Sequence, residues 1–327
     1  MSEKKKNSLV VGIGDLCLDI VTAVPEIPKT DMAQPLLGIT SQGGGKVPTA
    51  LVTLGRLGVP STLFATYGDD AAGAFCRQEL ADAGVDTSHM VCIKGKKTNL
   101  TLCLAEQKTG GRSCIGKYDL PGVLPKNLDE GVIRGAAYLH LWSFTPAAKQ
   151  AAAWIHDSGG KVVFDADRYS KETEENIFRT DIFICSEFFF EGMNGKRKGE
   201  AELRRGLAKM KAQGPEAVIV TLGAEGYAGL DEEGYFREKA FTNIQVVDST
   251  GAGDVFHGAF IYGLLQGKTI RECARFASAA SAVKCTAPGG RTGIPDVKTT
   301  EEFIKSGEID RKVQREWEAY YQKHAIV

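Results

Sequence analysis

The chain has 327 residues, 43% of them apolar and 25% charged, with a formal net charge of -1. That length exceeds the usual ceiling for one compact core, so either one large α/β domain with an appendage or two domains is expected. The near-neutral balance argues against nucleic acid as a partner, and no run of roughly 18 apolar residues is present to cross a membrane.

The start, MSEKKKNSLVVGIGD, puts three lysines before an apolar run. Asp15 interrupts that run too early for a secretory leader and no small-residue cleavage site follows, so a cytoplasmic protein is expected, its lysines forming a solvated end. Residues 8–14 then read as a strand, and 46–57, with apolar residues at helical spacing, as a helix. Residues 62–66, 138–141, 161–165, 181–185 and 217–221 are further short apolar runs, each followed by a plausible helix. Repeated β-α units predict a mostly parallel central sheet covered by helices on both faces.

Two stretches break this rhythm. Residues 98–105 alternate Leu100, Leu102 and Leu104 with Asn99, Thr101 and Cys103; KTGG then makes a turn, and 112–115 return as a partner strand. With the extended, proline-bearing segment of about 20–40, the hairpin at 98–116 predicts a small β-sheet lid with one apolar face that must cover something. After Gly267 the chain reads as helices, and the tail at 311–327 as an amphipathic helix packed on a domain spanning 8–310. The eight cysteines form no CxxC pair and the five histidines show no ligand spacing, so buried thiols in a reducing compartment are expected rather than zinc.

The segment most telling for chemistry is DSTGAGDVFHGAFIYGLLQG, 248–267. A buried helix starts just after Gly251, and Gly251 and Gly253 leave the backbone uncrowded, so successive N–H groups can converge on phosphate oxygens with the helix dipole behind them. Asp254 would repel such a ligand unless it points instead at an acceptor hydroxyl. The plainer alternative makes Asp254 a capping carboxylate and the glycines a turn.

DSTGAGDVF at 248–256 resembles the C-terminal signature of the PfkB/ribokinase family of carbohydrate kinases. GGGKVPTALVTLGRLG at 43–58 resembles its N-terminal counterpart. GDDAAG at 68–73, LADAGVDTS at 80–88, VTLGAEG at 220–226 and GIP at 293–295 fall in the family's order. The resemblance implies a ribokinase-like α/β fold and transfer of the γ-phosphoryl group of ATP, with Mg²⁺, to a hydroxyl of a small sugar-like substrate. By it Asp254 is the base, and Gly251, Ala252 and Gly253 form the anion hole. Thr221, Gly223 and Gly226 border the nucleotide, as do Gly251 and Gly253. Asp19, Asp15, Gly44, Gly45, Lys46, Thr49 and Arg168 lie on the substrate side, and the lids of two copies clasp into a homodimer.

Three departures from the family's pattern stand out. Thr49, after Pro48, occupies the place of a sugar-binding asparagine and lacks the amide's paired geometry. In ICSEFFFEG at 184–192, Phe189 stands where a magnesium-site glutamate is usual, which leaves Glu187 as the nearest candidate. Lys46 and Arg168 suit a phosphate or carboxylate on the substrate, or else neutralise nearby aspartates. Asp248 and Thr250, with carbonyls of 287–290, resemble a monovalent-cation site that takes K⁺ in relatives.

An ordinary aspartate near 3.9 and a water-like hydroxyl near 15.7 differ by about 16 kcal/mol, so Asp254 must take the proton late, as bonding to phosphorus acidifies the hydroxyl. Three other readings compete. One treats VVGIGDL as a dinucleotide fingerprint, but Cys17 fills its third glycine position. A nucleoside or vitamin kinase of the same fold is the second, and a catalytically idle sugar or nucleotide binder the third.

Overall fold

The structure, a computed structural model, describes residues 8–108 and 111–325. The lysines at 4–6 and the middle of the KTGG turn, 109–110, lie outside them. Among the described residues the main sheet has nine strands. In spatial order they are Gly234–Glu238, Tyr227–Asp231, Ala217–Thr221, Ile182–Ser186, Lys161–Ala166, Tyr138–Leu141, Val10–Ile13, Ser61–Phe64 and Val85–Asp86. From Ala217–Thr221 onward every pairing is parallel. The first two strands form an antiparallel meander on the edge, which the sequence reading lacked.

The parallel strands are apolar without a break because both sheet faces are covered. Their period of two divides the core. Val10, Val163, Ile184 and Ile219 pack with Leu51, Phe260 and Ala277 on one face. Val11, Leu139, Phe164, Phe183 and Val220 pack with Ala151 and Leu207 on the other. On the first face the helices Lys46–Arg56 and Ala252–Leu265 lie unusually close, since a Cβ on Gly258 would stand 2.3 Å from the Ala50 carbonyl oxygen. That contact brings the starts of both helices to one edge of the sheet.

A second sheet of four strands has the order Gly38–Gly44, Cys17–Val24, Asn99–Glu106, Arg112–Lys117. Its central pair is parallel and the outer pairings antiparallel. Its two faces differ in exposure. Asn99, Thr101 and Cys103 are buried, whereas Leu100 is 38% and Ile115 67% exposed. The polar row turns inward because its hydrogen bonds are there: Asn99 donates to the Leu16 carbonyl, and Thr101 shares a bond with the Tyr118 hydroxyl.

Where the two sheets meet, Arg291 and Glu79 are both fully buried, their charges 2.7 Å apart. Arg291 also donates to the Gly44 carbonyl and to Thr49 Oγ1, and its own amide donates to Gln42 Oε1. Glu79 accepts from the Gly43 amide and from the hydroxyl of Tyr321 in the C-terminal helix Lys312–Lys323. The same helix lays Trp317 against Arg56, whose guanidinium carbon is 3.9 Å from the ring centroid.

Removing one member of such a pair strands the other charge in a dry site. Arg291→Met is expected to cost roughly 3–5 kcal/mol in urea unfolding, with part of the loss recovered in Arg291→Met/Glu79→Gln. A cost for the single variant below about 1 kcal/mol would show that water reaches the pair.

Candidate active site

The C-terminal ends of the parallel strands form the edge where open α/β sheets place their ligands. Here it carries Asp15 after Val10–Ile13, Asp165 and Asp167 at the end of Lys161–Ala166, Glu187 after Ile182–Ser186, and Thr221. A cavity of about 120 Å³ lined by Tyr138, Lys161, Glu216 and Asp231 lies at the opposite edge, away from these groups.

Gly251 precedes the helix Ala252–Leu265 with φ +73°, and a Cβ there would come within 2.9 Å of the Gly290 carbonyl oxygen, so no larger residue fits. The first-turn amides of Gly253 and Asp254 have no intrahelical acceptor, and nothing lies within 4 Å of the place a Gly253 Cβ would take. The Ala252 amide is already held by the Ser249 carbonyl at 3.2 Å. Among the described residues the amides without an acceptor at this helix start are therefore those of Gly251, Gly253 and Asp254.

Asp254 sits in that turn with its carboxyl pushed up to about 7. Burial is the main cause and the Asp165 carboxylate the next, against the pull of Lys46, His257 and Arg112. Asp165 moves the other way. It is 7% exposed, and although burial opposes ionisation, His257 at 3.3 Å and then Lys46 hold it below the ordinary carboxylate range. Two carboxyls at one site thus have separated acidities, the arrangement that distinguishes a proton acceptor from a fixed charge. Lys46 Nζ lies 2.8 Å from Asp167. Burial lowers its pKa, but Asp165, Asp167 and Asp254 outweigh that and leave it above the usual range.

On the substrate side each of three consecutive glycines answers to a different neighbour. A Cβ on Gly43 would meet Glu79 and Arg291, one on Gly44 the Asp19 carboxylate at 2.3–2.4 Å, and one on Gly45, at φ +97°, the Asp15 carbonyl at 2.1 Å. Asp19 accepts from Cys17 Sγ at 3.1 Å and is raised mainly by desolvation. Desolvation raises Asp15 too, and a hydrogen bond with Trp142 opposes it. The Asp19 carboxylate borders the turn at Gly44, whereas Asp15 meets Gly45 through its backbone carbonyl. Thr49 is 2% exposed and its hydroxyl accepts from Arg291 at 3.2 Å, so it serves the buried ion pair. Arg168 is exposed, 5.3 Å from the Phe188 ring, and it is Lys46 that pairs with Asp167.

Toward the other end of the edge, Thr221 Oγ1 donates to the Cys185 carbonyl, and Gly223 and Gly226 flank a single tight turn. Gly226, at φ +98°, has the Glu238 carbonyl 2.1 Å from its missing Cβ. Packing of the edge meander alone accounts for that glycine. Glu187 opens the helix Glu187–Asn194 and stands 3.8 Å from Arg197, which prefers Glu225 at 2.8 Å. Among the described residues no three His, Cys, Asp or Glu side chains converge as a metal cage. Mg²⁺ ordinarily takes only one or two carboxylates beside phosphates and water, and Glu187 fits that pattern.

The Asp248 carboxylate is 2% exposed and is filled by the amides of Thr250 and Gly289, each at 2.8 Å. The fully buried Lys284 places its Nζ 2.8 Å from the Asp248 carbonyl oxygen. Burial lowers its pKa, and Cys285 and Asp248 work against that. The Thr250 hydroxyl is buried with no partner among the described residues. A K⁺ ion would thus share this place with an ammonium.

Four residues here escaped the sequence reading. Asp165 and His257 were visible only as a strand end and a helix position, and Lys284 as one more helical lysine. Arg112 stands on the inward row of the small sheet and donates to the Ser249 carbonyl at 2.9 Å, beside the anion-site turn.

A profile described as "pfkB family carbohydrate kinase" matches residues 7–297. Ribokinase from Haemophilus influenzae is 26% identical over 305 residues, 90% of this chain and 97% of that protein. 5-Dehydro-2-deoxygluconokinase from Shouchella clausii is 27% identical over 323 residues, 92% of this chain and 96% of that one. Among solved structures, Arabidopsis thaliana ribokinase complexed with ribose and ATP superposes with a TM-score of 0.75 at 24% identity, covering 91% of this chain and 99% of that one. The profile, which spans both the helix start at Asp254 and the glycine turn beside Asp19, places this chain in the pfkB family of carbohydrate kinases.

Proposed function

We propose that the chain transfers the γ-phosphoryl group of ATP to a hydroxyl of a small polyhydroxy substrate, with Asp254 as proton acceptor. One observation carries the reading: a carboxyl raised to about 7 stands in the same turn as helix-start amides with no acceptor among the described residues. Asp15 and Asp19 accept hydrogen bonds from the substrate's hydroxyls, and the Gly44 and Gly45 turn lets it approach the backbone. With Lys46 engaged by three carboxylates, its role is to keep that cluster neutral rather than to bind a charged substrate.

Thr221, Gly223 and Gly226 border the nucleotide, and Glu187 is the residue that would hold Mg²⁺. Bound Mg²⁺ supplies neutralisation of the phosphate charge. The amides of Gly251, Gly253 and Asp254 orient the moving phosphoryl group, and Asp254 holds the acceptor hydroxyl in line. Even at about 7, Asp254 remains about 12 kcal/mol short of deprotonating a free hydroxyl, so the proton leaves late. The small sheet acts as a lid whose polar row faces the substrate. Its outer face, with Leu37 and Ile39 each 50% exposed beside Leu100 and Ile115, suits a second copy of the chain.

Coupled ADP release over ketoses, aldoses, sugar acids, sugar phosphates, nucleosides and vitamin alcohols tests the proposal. One polyhydroxy member is expected to raise turnover at least tenfold above background ATP hydrolysis, and a flat response across the panel would remove it.

Asp254→Asn is expected to lower kcat by about 10²–10⁴-fold while nucleotide affinity, by fluorescence titration, stays within a few-fold. In the parent enzyme kcat/KM should fall about tenfold per pH unit below 7, as the acceptor protonates. Stability runs the other way. A carboxyl whose folded pKa lies above its unfolded value of about 3.9 costs nothing below pH 4 and its full penalty above 7. Asp254→Asn should therefore raise Tm at pH 8 and not at pH 4; equal gains at both would exclude the buried-charge account.

Lys284 is proposed to supply the positive charge that K⁺ provides in relatives. Activity in potassium and in tetramethylammonium is expected to agree within twofold, and Lys284→Gln to make the enzyme respond to K⁺. A tenfold potassium activation of the unmodified enzyme would reject this.

A further inference from the structure

Cys103 and Cys114 face each other directly across the antiparallel strands Asn99–Glu106 and Arg112–Lys117, and their sulfurs are 3.2 Å apart. Opposed residues of such a pair have Cα separations of about 4.5–5.5 Å, inside the range of roughly 4.4–6.8 Å that a disulfide spans. Moving from 3.2 Å to a bond of about 2.05 Å requires about 1.2 Å of sulfur motion, which side-chain rotation provides without breaking the ladder.

The two thiols are unequal. Cys103 is buried and Cys114 exposed, so a soluble oxidant meets Cys114 first. The two thiols share a hydrogen bond, which favours ionisation of Cys114; with Arg112 on the same row this outweighs burial and holds Cys114 at about 7. The same hydrogen bond, with burial, pushes Cys103 well up, so it keeps its proton until the second step. Of the other cysteines only Cys92 is exposed, and Cys17, Cys76, Cys185, Cys273 and Cys285 are buried.

We propose that Cys103 and Cys114 are a modification site, closing to a reversible disulfide when the protein meets a hydroperoxide. With hydrogen peroxide, the Cys114 thiolate attacks one oxygen, the O–O bond breaks, and the products are a sulfenic acid on Cys114 and hydroxide. Cys103 then attacks the Cys114 sulfur; the S–S bond forms, the S–O bond breaks, and the departing oxygen leaves as water with the Cys103 proton. The hydroxide combines with the proton Cys114 lost on ionising. Two thiols and one peroxide become one disulfide and two waters, two electrons passing from sulfur to oxygen. The cross-link falls on the inward row, between the strand that carries Thr101 beside Asp19 and the strand that carries Arg112 beside Ser249. It fixes the spacing of those strands on the side where the substrate and the anion-site turn lie.

The full chain carrying Cys92→Ser, treated with stoichiometric hydrogen peroxide and alkylated after denaturation, decides the matter. Two of its thiols are expected to resist alkylation, with a mass loss of about 2 Da, a linked pair of peptides containing Cys103 and Cys114, and full return with dithiothreitol. Cys103→Ser should instead leave a dimedone-trappable sulfenic acid on Cys114. The proposal fails if every thiol still alkylates, if Cys103 alkylates while Cys114 is oxidised, or if the link joins other cysteines or two chains. Peptide mapping of the unmutated chain gives the same decision should either variant fail to fold.

Discussion

The buried guanidinium of Arg291 is the constraint on which the two halves of the site depend. It joins Glu79, the Gly44 carbonyl and Thr49 in a region closed off from solvent, so a missing partner would leave a buried polar group unpaired. Gly43 and Gly44 belong to the small sheet and the turn beside Asp19. The chain just before Arg291 packs Gly290 against Gly251 and ties Gly289 to the Asp248 carboxylate. One ion pair thereby sets the spacing between the turn beside Asp19 and the helix start at Asp254, the two places to which the proposed function assigns the hydroxyls and the phosphate. A spacing fixed in this way needs no substrate to organise it, the preorganisation that phosphoryl transfer by positioning requires.

The same frame accounts for the departure at Thr49. An asparagine there could present two polar groups toward a substrate, but the threonine hydroxyl is occupied as the acceptor for Arg291. Under the proposed function, specificity then falls to Asp15, Asp19 and the inward row of the small sheet. Thr101 and Tyr118 share a hydrogen bond on that row, next to Cys17 and Asp19. A polar inner face and an apolar outer one give the small sheet two roles that the alternation of residues could not assign to sides.

Much of the fold was legible because its signals are local. Continuous apolar runs such as VVF at 162–164 mark strands covered on both faces, and the spacing of Val47, Leu51 and Leu54 marks the helix they form. The glycine turns at 43–45 and 251–253 were legible for the same reason. What the sequence hid is partnership across long separations. Glu79 and Arg291 lie 212 residues apart, and Lys284 meets Asp248 only after two helices have turned back. Neither residue differs locally from an ordinary surface charge. The inward orientation of Asn99, Thr101 and Cys103 was likewise invisible, because a period of two fixes which residues share a face and not which face is covered.

Charges at the two helix starts show which forces govern the site. A lysine at a helix N-terminus opposes the dipole, and a carboxylate there is favoured by it, each by about 0.3–1 kcal/mol. Lys46 nonetheless begins one helix with a raised pKa, and Asp254 in the first turn of the other is raised rather than lowered. Asp254 at about 7 implies an opposing effect of several kcal/mol, beyond what the dipole supplies. Burial and the neighbouring Asp165 therefore outweigh the helix at Asp254, and the cluster of carboxylates outweighs it at Lys46. The dipole and the uncommitted amides remain available to an anion, while the carboxyl is raised to about 7, which suits the proposed alternation between holding a hydroxyl and taking its proton. Such a turn opposes local preference and costs stability, so a rigid frame must hold it, and the ion pair of Arg291 and Glu79 provides one.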